Sequence, residues 1–306
     1  MESLTGLPMD LLLYLQSSFA PVVGVESLSG VKVDGSVTRL TLADNSSVIV
    51  KSSSNSREGN FYTLHADTVR ATGVGVTKMY WSGLDEVGTQ WMVFEFVPHP
   101  FPKGRWLADP AQIRTLFYLH SATWKHRRIR LDEEAYRPEW NDDLTTRASE
   151  WFLDKDAYGH VLSGLQVIQR QAQFLFEPQC CLSGDPNPTN WRVGKAGEVV
   201  LIDWERFCHG HPAIDLAIAL PGLGSGDFVM EERVAAIYRS YWQQNLGYIP
   251  PELDTLARSI RLAKLWSAVE FLANARLGQQ LFPTETITYL VRELPDFITM
   301  KGELAL

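Results

Sequence analysis

Two rhythms of apolar and polar residues run along this chain, and the change from one to the other divides it. Apolar positions in residues 8–18 recur at helical spacing. From residue 22 to 51 the period falls to two. Residues 31–33, 36–42 and 47–51 alternate between faces and are interrupted by Gly30, Asp34–Gly35 and Asp44–Asn45, the pattern of an antiparallel meander. A helical stretch begins at Arg57, and residues 74–81 and 89–97 then read as a hairpin turning through residues 82–88. Residues 98–104 are rich in Pro and Gly, which ends strand structure and marks a boundary. Beyond it the helical period returns. Asp109 is placed as an N-cap with Pro110 in the first helical position, and Ile113, Leu116, Phe117 and Leu119 form one broad apolar face. Residues 162–176, 229–247, 252–277 and 283–299 carry further amphipathic helices. The expected class is α+β, with a strand-rich lobe at residues 1–97, a longer helical lobe at 98–306, and a cleft between them.

Composition narrows the chemistry without naming it. The chain has 306 residues, 45% of them hydrophobic, and a formal charge of −8. That balance argues against nucleic acid as a partner and suits a neutral or cationic small ligand. Cys180 and Cys181 are adjacent and Cys208 makes the count odd, so no disulfide framework is expected and a reducing compartment fits. Glu2 and Asp10 stand where a basic leader would begin, and the apolar run at residues 11–15 is too short to span a bilayer. A cytoplasmic protein with no membrane partner is the expectation.

The chemistry concentrates in one stretch. Ser183-Gly184-Asp185 is followed by Asn190, and after a short Gly-containing turn an apolar run stops at Asp203-Trp204-Glu205. Two carboxylates and an amide in this order suit phosphoryl transfer. One acid orients an acceptor hydroxyl, while the amide and the second acid hold the Mg²⁺ that neutralises phosphate oxygens. Asp185 takes the first role, and Asn190 and Asp203 the metal roles. Pro186 and Pro188 stiffen the loop by fixing φ.

Over these residues, and through the following Pro212-Ala213-Ile214-Asp215-Leu216-Ala217, the chain resembles the aminoglycoside phosphotransferase and choline kinase superfamily. Its members are small-molecule kinases with a protein-kinase-like fold. The resemblance implies ATP and Mg as cofactors and a hydroxylated small molecule as acceptor. It departs at Ser183, where the family usually has a His that buttresses the loop. Lys51 reads either as a strand-end lysine that snorkels to solvent or, by the resemblance, as the cation that holds the α- and β-phosphates with Glu58 as its carboxylate. Asp67 is a shorter and poorer alternative to Glu58. The turn around Ser29, Gly30, Gly35 and Ser36 would lie over the phosphates, although no G-x-G-x-x-G is present, and Glu95 to Val97 would offer backbone groups to adenine. Asp215 would brace the catalytic loop.

Several residues carry competing readings. His120 reads as a core histidine with a local partner. An acidic, Trp-dotted segment with Trp140 and Trp151 is a candidate acceptor wall, although most of its charges read as a solvated face. Trp242, Trp266, Glu270 and Phe271 either line the acceptor pocket or belong to the core. Cys208, His209 and His211 lack the second ligand pair a zinc site needs. The rival to a kinase is a catalytically inactive nucleotide-binding protein on the same fold, prompted by Ser183 and the poor glycine loop.

Overall fold

The computed structural model describes residues 6–28, 35–127, 129–223, 227–277 and 283–303. Helix α1 (Met9–Ser18) buries Leu11 and Leu15, one turn apart, against a five-stranded sheet. The strands are β1 (Val22–Leu28), β2 (Val37–Leu42), β3 (Ser47–Ser53), β4 (Met79–Leu84) and β5 (Gln90–Glu95), in the spatial order β1-β2-β3-β5-β4 and antiparallel throughout. Strand period decides what each face does. Val48 and Val50 of β3 join Leu40, Leu42 and Val93 under α1. Ile49 and Lys51 therefore point to the opposite face, where helices α2 (Arg57–Leu64) and α3 (Ala66–Ala71) pack.

One departure from the sequence reading falls here. The hairpin is shorter than expected: β4 starts at Met79, and the preceding residues cross to the second lobe instead. There Leu201 donates to the Gly75 carbonyl at 2.9 Å and Val76 bridges Leu201 in parallel. A Cβ on Gly75 would stand 2.3 Å from the Val199 carbonyl oxygen, so only glycine permits this approach. Residues 31–33, expected as strand, lie outside the described residues.

The second lobe starts with a short strand, β6 (His99–Pro100), then helices α4 (Pro110–Ala122), α5 (Asp142–Ser149) and α6 (Tyr158–Ala172). The Asp109 side chain caps α4 by accepting from the backbone of Ala111 (2.8 Å) and Gln112 (3.3 Å), as its position before Pro110 implies. Short strands β7 (Cys180–Leu182), β8 (Trp191–Val193), β9 (Val199–Leu201) and β10 (Cys208–Gly210) carry the segment with the chemistry, pairing as β10-β7 and β6-β8-β9. Helices α7 (Ala213–Ile218), α8 (Phe228–Leu246), α9 (Leu256–Arg276) and α10 (Thr284–Glu303) complete the lobe. Helix α9 is buried on every side through residues 262–269 because other helices surround it. Its one buried cation, Lys264, donates to the carbonyls of Leu220, Pro221 and Gly222 at 2.8–3.0 Å, where α7 has ended.

The tryptophans resolve toward the core. Trp140, Trp242 and Trp266 are fully buried, so Trp140 is not an acceptor wall: its indole N–H donates to Thr145 within the lobe. Trp151 is partly buried and donates to the Leu272 carbonyl. No helix among the described residues is long and apolar enough to cross a membrane.

His211 ties the core to the start of α7. Its Nδ1 accepts from the Ala213 amide at 3.1 Å while Nε2 faces the Glu252 carbonyl at 3.3 Å, which requires the neutral ring with its proton on Nε2. Burial opposes the charged form and depresses its pKa from 6.5 to about 4. A depressed pKa gives stability that is complete above the unfolded value and falls away as pH drops through that window. Between about pH 7 and about pH 5 the unfolding free energy should fall by roughly 2 kcal/mol through this group. His211→Phe, compared with the wild type in urea denaturation at both pH values, should flatten that slope.

Candidate active site

Strand β9 ends at Leu201, and two residues later Asp203 adopts φ +63°, a left-handed conformation that Asp tolerates better than most non-glycine residues. The turn swings its carboxylate toward the first lobe. Lys51 meets it there: Nζ lies 2.9 Å from Asp203 Oδ1 and 2.5 Å from Glu58 Oε2. One ammonium thus joins β3, α2 and the turn after β9. Glu58 is the carboxylate that Lys51 finds. Asp67 is almost wholly exposed and pairs with Arg70. Burial works against the charge on Lys51, but Glu58 and then Asp203 outweigh it and push its pKa up. Burial likewise drives the Glu58 carboxyl upward, against the pull of Lys51.

The second half of the site is the loop after β7. Ser183 and Gly184 are buried, and Asp215 at the head of α7 holds them. Its carboxylate accepts from the Ser183 amide (2.8 Å), the Ser183 hydroxyl (3.1 Å), the Gly184 amide (2.9 Å) and His120 Nε2 (3.0 Å). Tyr238 partners the other ring nitrogen of His120 at 3.0 Å. Ser183 therefore fills its place with a hydrogen bond to the acid that braces the loop. Gly184 sits at φ +80°, and a Cβ there would lie 1.9 Å from the Arg206 carbonyl oxygen, so glycine is obligatory twice over.

Asp185 follows. Its Oδ1 accepts from Asn187 Nδ2 at 3.0 Å, and Asn190 Nδ2 bonds both its carbonyl (2.9 Å) and its Oδ2 (3.2 Å). The Trp191 indole donates to the Pro186 carbonyl at 2.8 Å and closes the loop from below. The Asn190 carbonyl accepts from the Ile202 amide at 2.9 Å, which links this loop to the residue before Asp203. Burial raises the Asp185 carboxyl. Arg206 and the Asn187 hydrogen bond lower it again, and Asp203 and Glu205 add to the rise.

The remaining expected positions are spread more widely. Glu95 ends β5 with its amide on the Lys78 carbonyl at 2.9 Å, and Val97 lies two residues on. Cross-strand partners are Val48 with Glu95 and Lys51 with Met92, which separates Glu95 from Lys51 by roughly 10 Å along the strands. Gly35 and Ser36 run beside the end of β3, where Ser36 bonds Ser52 through amide and hydroxyl, each at 3.0 Å. Ser29 and Gly30 lie outside the described residues.

A family model described as the phosphotransferase enzyme family matches residues 39–258. The chain belongs to that family. Solved structures similar to this phosphotransferase include amicoumacin kinase hAmiN in complex with AMP-PNP, Ca²⁺ and Ami (13% identity, TM-score 0.64, 95% of this chain and 94% of that one). Others are spectinomycin phosphotransferase APH(9)-Ia with ADP and its antibiotic (10% identity, TM-score 0.62, 96% and 98%) and choline kinase LicA from Streptococcus pneumoniae (14% identity, TM-score 0.63, 95% and 99%). At such identities the likeness is one of fold, and it extends over nearly the whole chain: a two-lobed, protein-kinase-like α+β architecture. No curated protein sequence matches the chain significantly.

The donor set of the phosphotransferase fits a hard cation. Asn190 commits its side-chain Nδ2 to Asp185, which leaves its side-chain Oδ1, and Asp203 offers a carboxylate. Among the described residues no three His, Cys, Asp or Glu gather into a protein-only cage. A cation here would complete its shell from phosphate oxygens and water, as Mg²⁺ commonly does. His209 is engaged elsewhere, on the Ile129 carbonyl at 2.8 Å, and burial pushes the Cys208 thiol up, against the thiolate a metal needs.

Two features were missed in the sequence. Phe61, one turn along α2 from Glu58, stacks on Trp204 with ring centroids 4.4 Å apart and planes within 1°, and Phe207 packs edge-on at 4.9 Å. The helix that carries Glu58 is thereby fastened to the segment that carries Asp203. The i, i+3 spacing of Glu58 and Phe61 was the available signal. The second is Arg206. Its Nη2 bonds Glu270 Oε1 (2.7 Å) and Oε2 (2.6 Å) and the Tyr136 hydroxyl, and its guanidinium lies 4.2 Å from the Tyr136 ring centroid. Glu270 is thus an ion-pair partner reached across 64 residues, a pairing that no local pattern announces. Phe61→Leu keeps most of the volume and removes the stack. It should lower stability by about 1 kcal/mol, read by urea denaturation, and weaken nucleotide binding in isothermal titration because α2 then holds Glu58 less firmly.

Proposed function

We propose that this phosphotransferase moves the γ-phosphoryl group of ATP onto a hydroxyl of a small molecule, with Mg²⁺ as cofactor. The reading rests on one observation above others. Lys51 from the first lobe and Asp203 from the second form an ion pair, and Asp203 is tied through Ile202 and Asn190 to Asp185. A phosphate cation, a metal-type acid and a base-type acid then lie along one continuous path at the junction of the lobes, taken here as residues 1–97 and 98–306.

Asp185 orients the acceptor hydroxyl and takes up its proton as the new O–P bond forms and the bond to the ADP oxygen breaks. Asn187 and Asn190 aim its carboxylate, so little reorganisation is needed at the moment of reaction. Asn190 and Asp203 would hold Mg²⁺, which neutralises the phosphate oxygens. Lys51, kept charged and in place by Glu58, binds the α- and β-phosphates. Glu95 and Val97 present backbone groups to the adenine edge, and Gly35 and Ser36, beside the end of β3, contribute to the cover over the phosphates. The nucleotides and cation named with the similar structures, AMP-PNP with Ca²⁺ and ADP, support a nucleotide–metal donor. The antibiotic kinases and the choline kinase among those structures support a small hydroxylated acceptor.

Asp185→Ala should cut ADP release by roughly 10²–10⁴-fold without loss of nucleotide binding. Asp203→Ala should abolish turnover and also remove the Mg²⁺ dependence of nucleotide affinity in isothermal titration. Retention of wild-type turnover by Asp185→Ala would take that residue out of the mechanism.

A further inference from the structure

We propose that Arg39 is a positioning residue for the nucleotide base: packed on Phe96, it holds the linker between the lobes so that the backbone of Glu95 and Val97 is set for adenine. The inference rests on the nucleotide reading above and deepens it, by naming what fixes the base end of the site.

Strand register places Arg39 on the cleft side of the sheet. It lies opposite Ile49 of β3, as Val37 lies opposite Lys51, and residues opposite each other in antiparallel strands share a face. Leu40 and Leu42 turn the other way, under α1. Arg39 therefore stands on the face that carries Lys51, one row of side chains farther from the phosphate end. On the other side of β3, the pairing with β5 ends where Val48 lies opposite Glu95. The backbone of Phe96 and Val97 passes beyond that ladder into the linker.

Three contacts fix the guanidinium. Its Cζ lies 4.2 Å from the centroid of the Phe96 ring. Nε donates to the Ser47 hydroxyl at 3.2 Å, and Nη1 lies 3.5 Å from the carboxylate of Glu26, its cross-strand neighbour on β1. Strands β1 and β3 and the linker thus meet on one side chain of β2. Glu26 is exposed, so this ion pair is screened and adds little by itself. The ring contact is the one that reaches out of the sheet, and it suits a planar, weakly hydrated guanidinium better than an ammonium. Its consequence is covalent. The Glu95 carbonyl and the Val97 amide belong to the two peptide groups on either side of Phe96, so anchoring that ring orients both before a base arrives.

Isothermal titration with two probes, MgATP and magnesium tripolyphosphate, separates base from phosphate. Arg39→Met should weaken ATP binding roughly fivefold and leave tripolyphosphate affinity as in the wild type, because the phosphates meet Lys51 and not the linker. A general loosening of the lobe would weaken both probes alike. Arg39→Lys should recover part of the ATP affinity, since it keeps the charge and loses the plane. Phe96→Leu, which keeps the bulk and removes the ring, should reproduce the split between the probes. Urea denaturation checks that each variant is folded, and if Arg39→Met is not, Phe96→Leu decides. Equal weakening of both probes, or unchanged ATP affinity, overturns the role of Arg39 while the nucleotide reading stands. A wild type that binds tripolyphosphate but not ATP overturns the base site itself, and one that binds neither overturns the phosphotransfer reading as well.

Discussion

One ammonium group, that of Lys51, lies between two carboxylates that belong to different parts of the fold, and the site depends on it. Glu58 reaches it from α2 and Asp203 from the turn after β9. A buried lysine with no acid beside it would shed its proton, and two buried acids with no cation would take one up. With both acids ionised the three carry a formal charge of −1, a state that a divalent cation can enter. The arrangement contributes little to stability by itself, because desolvation consumes most of what attraction returns. What it fixes is geometry. Lys51 can be where it is only if the sheet of the first lobe faces the Asp203 turn at hydrogen-bond distance.

Apolar and polar contacts enforce that distance in different ways. Above the ion cluster, the Phe61–Trp204 stack presses α2 onto the Asp203 segment, and it is insensitive to salt and pH. Below it, Asp215 accepts four hydrogen bonds at full burial, three from Ser183 and Gly184 and one from His120. Each acceptor position is filled by a donor, which is the condition under which a buried carboxylate rigidifies its surroundings. The loop that carries Asp185 hangs from this brace and is closed again by Trp191. Ser183 matters in this setting for the bonds it makes. Both its amide and its hydroxyl reach Asp215, so the loop keeps its anchor with a small side chain.

Legibility in the sequence followed the range of the interactions. The Asp109 cap, the period-two strands and the 183–190 loop are local, and their signals lie within a few residues of the structure they produce. Lys51 and Glu58 were readable because a strand and the next helix bring them together over seven residues. The Asp203 motif was readable because an apolar run stops there. The Arg206–Glu270 pair and the Phe61–Trp204 stack span 64 and 143 residues, and nothing in either neighbourhood points to the other. Trp140 misled for a related reason. Its flanking acids suggested an exposed wall, but its own ring turns inward and finds Thr145. The shortened hairpin came from tertiary pairing, because residues 75–76 bond to β9 instead of extending β4.

Net charge is a poor guide to what such a cleft binds. The formal charge of −8 is spread over the whole chain, and at physiological salt its influence fades over about 8 Å. Within the site the sign alternates over shorter distances: Glu58, Lys51 and Asp203 on one side, Asp185 and Arg206 on the other. In a partly desolvated cleft the nearest fixed charge outweighs the distant sum. The overall charge therefore does not fix the sign of what the cleft accepts. The surface sets which molecules approach, and the groups nearest Asp185 set which of them can stay with a hydroxyl in line.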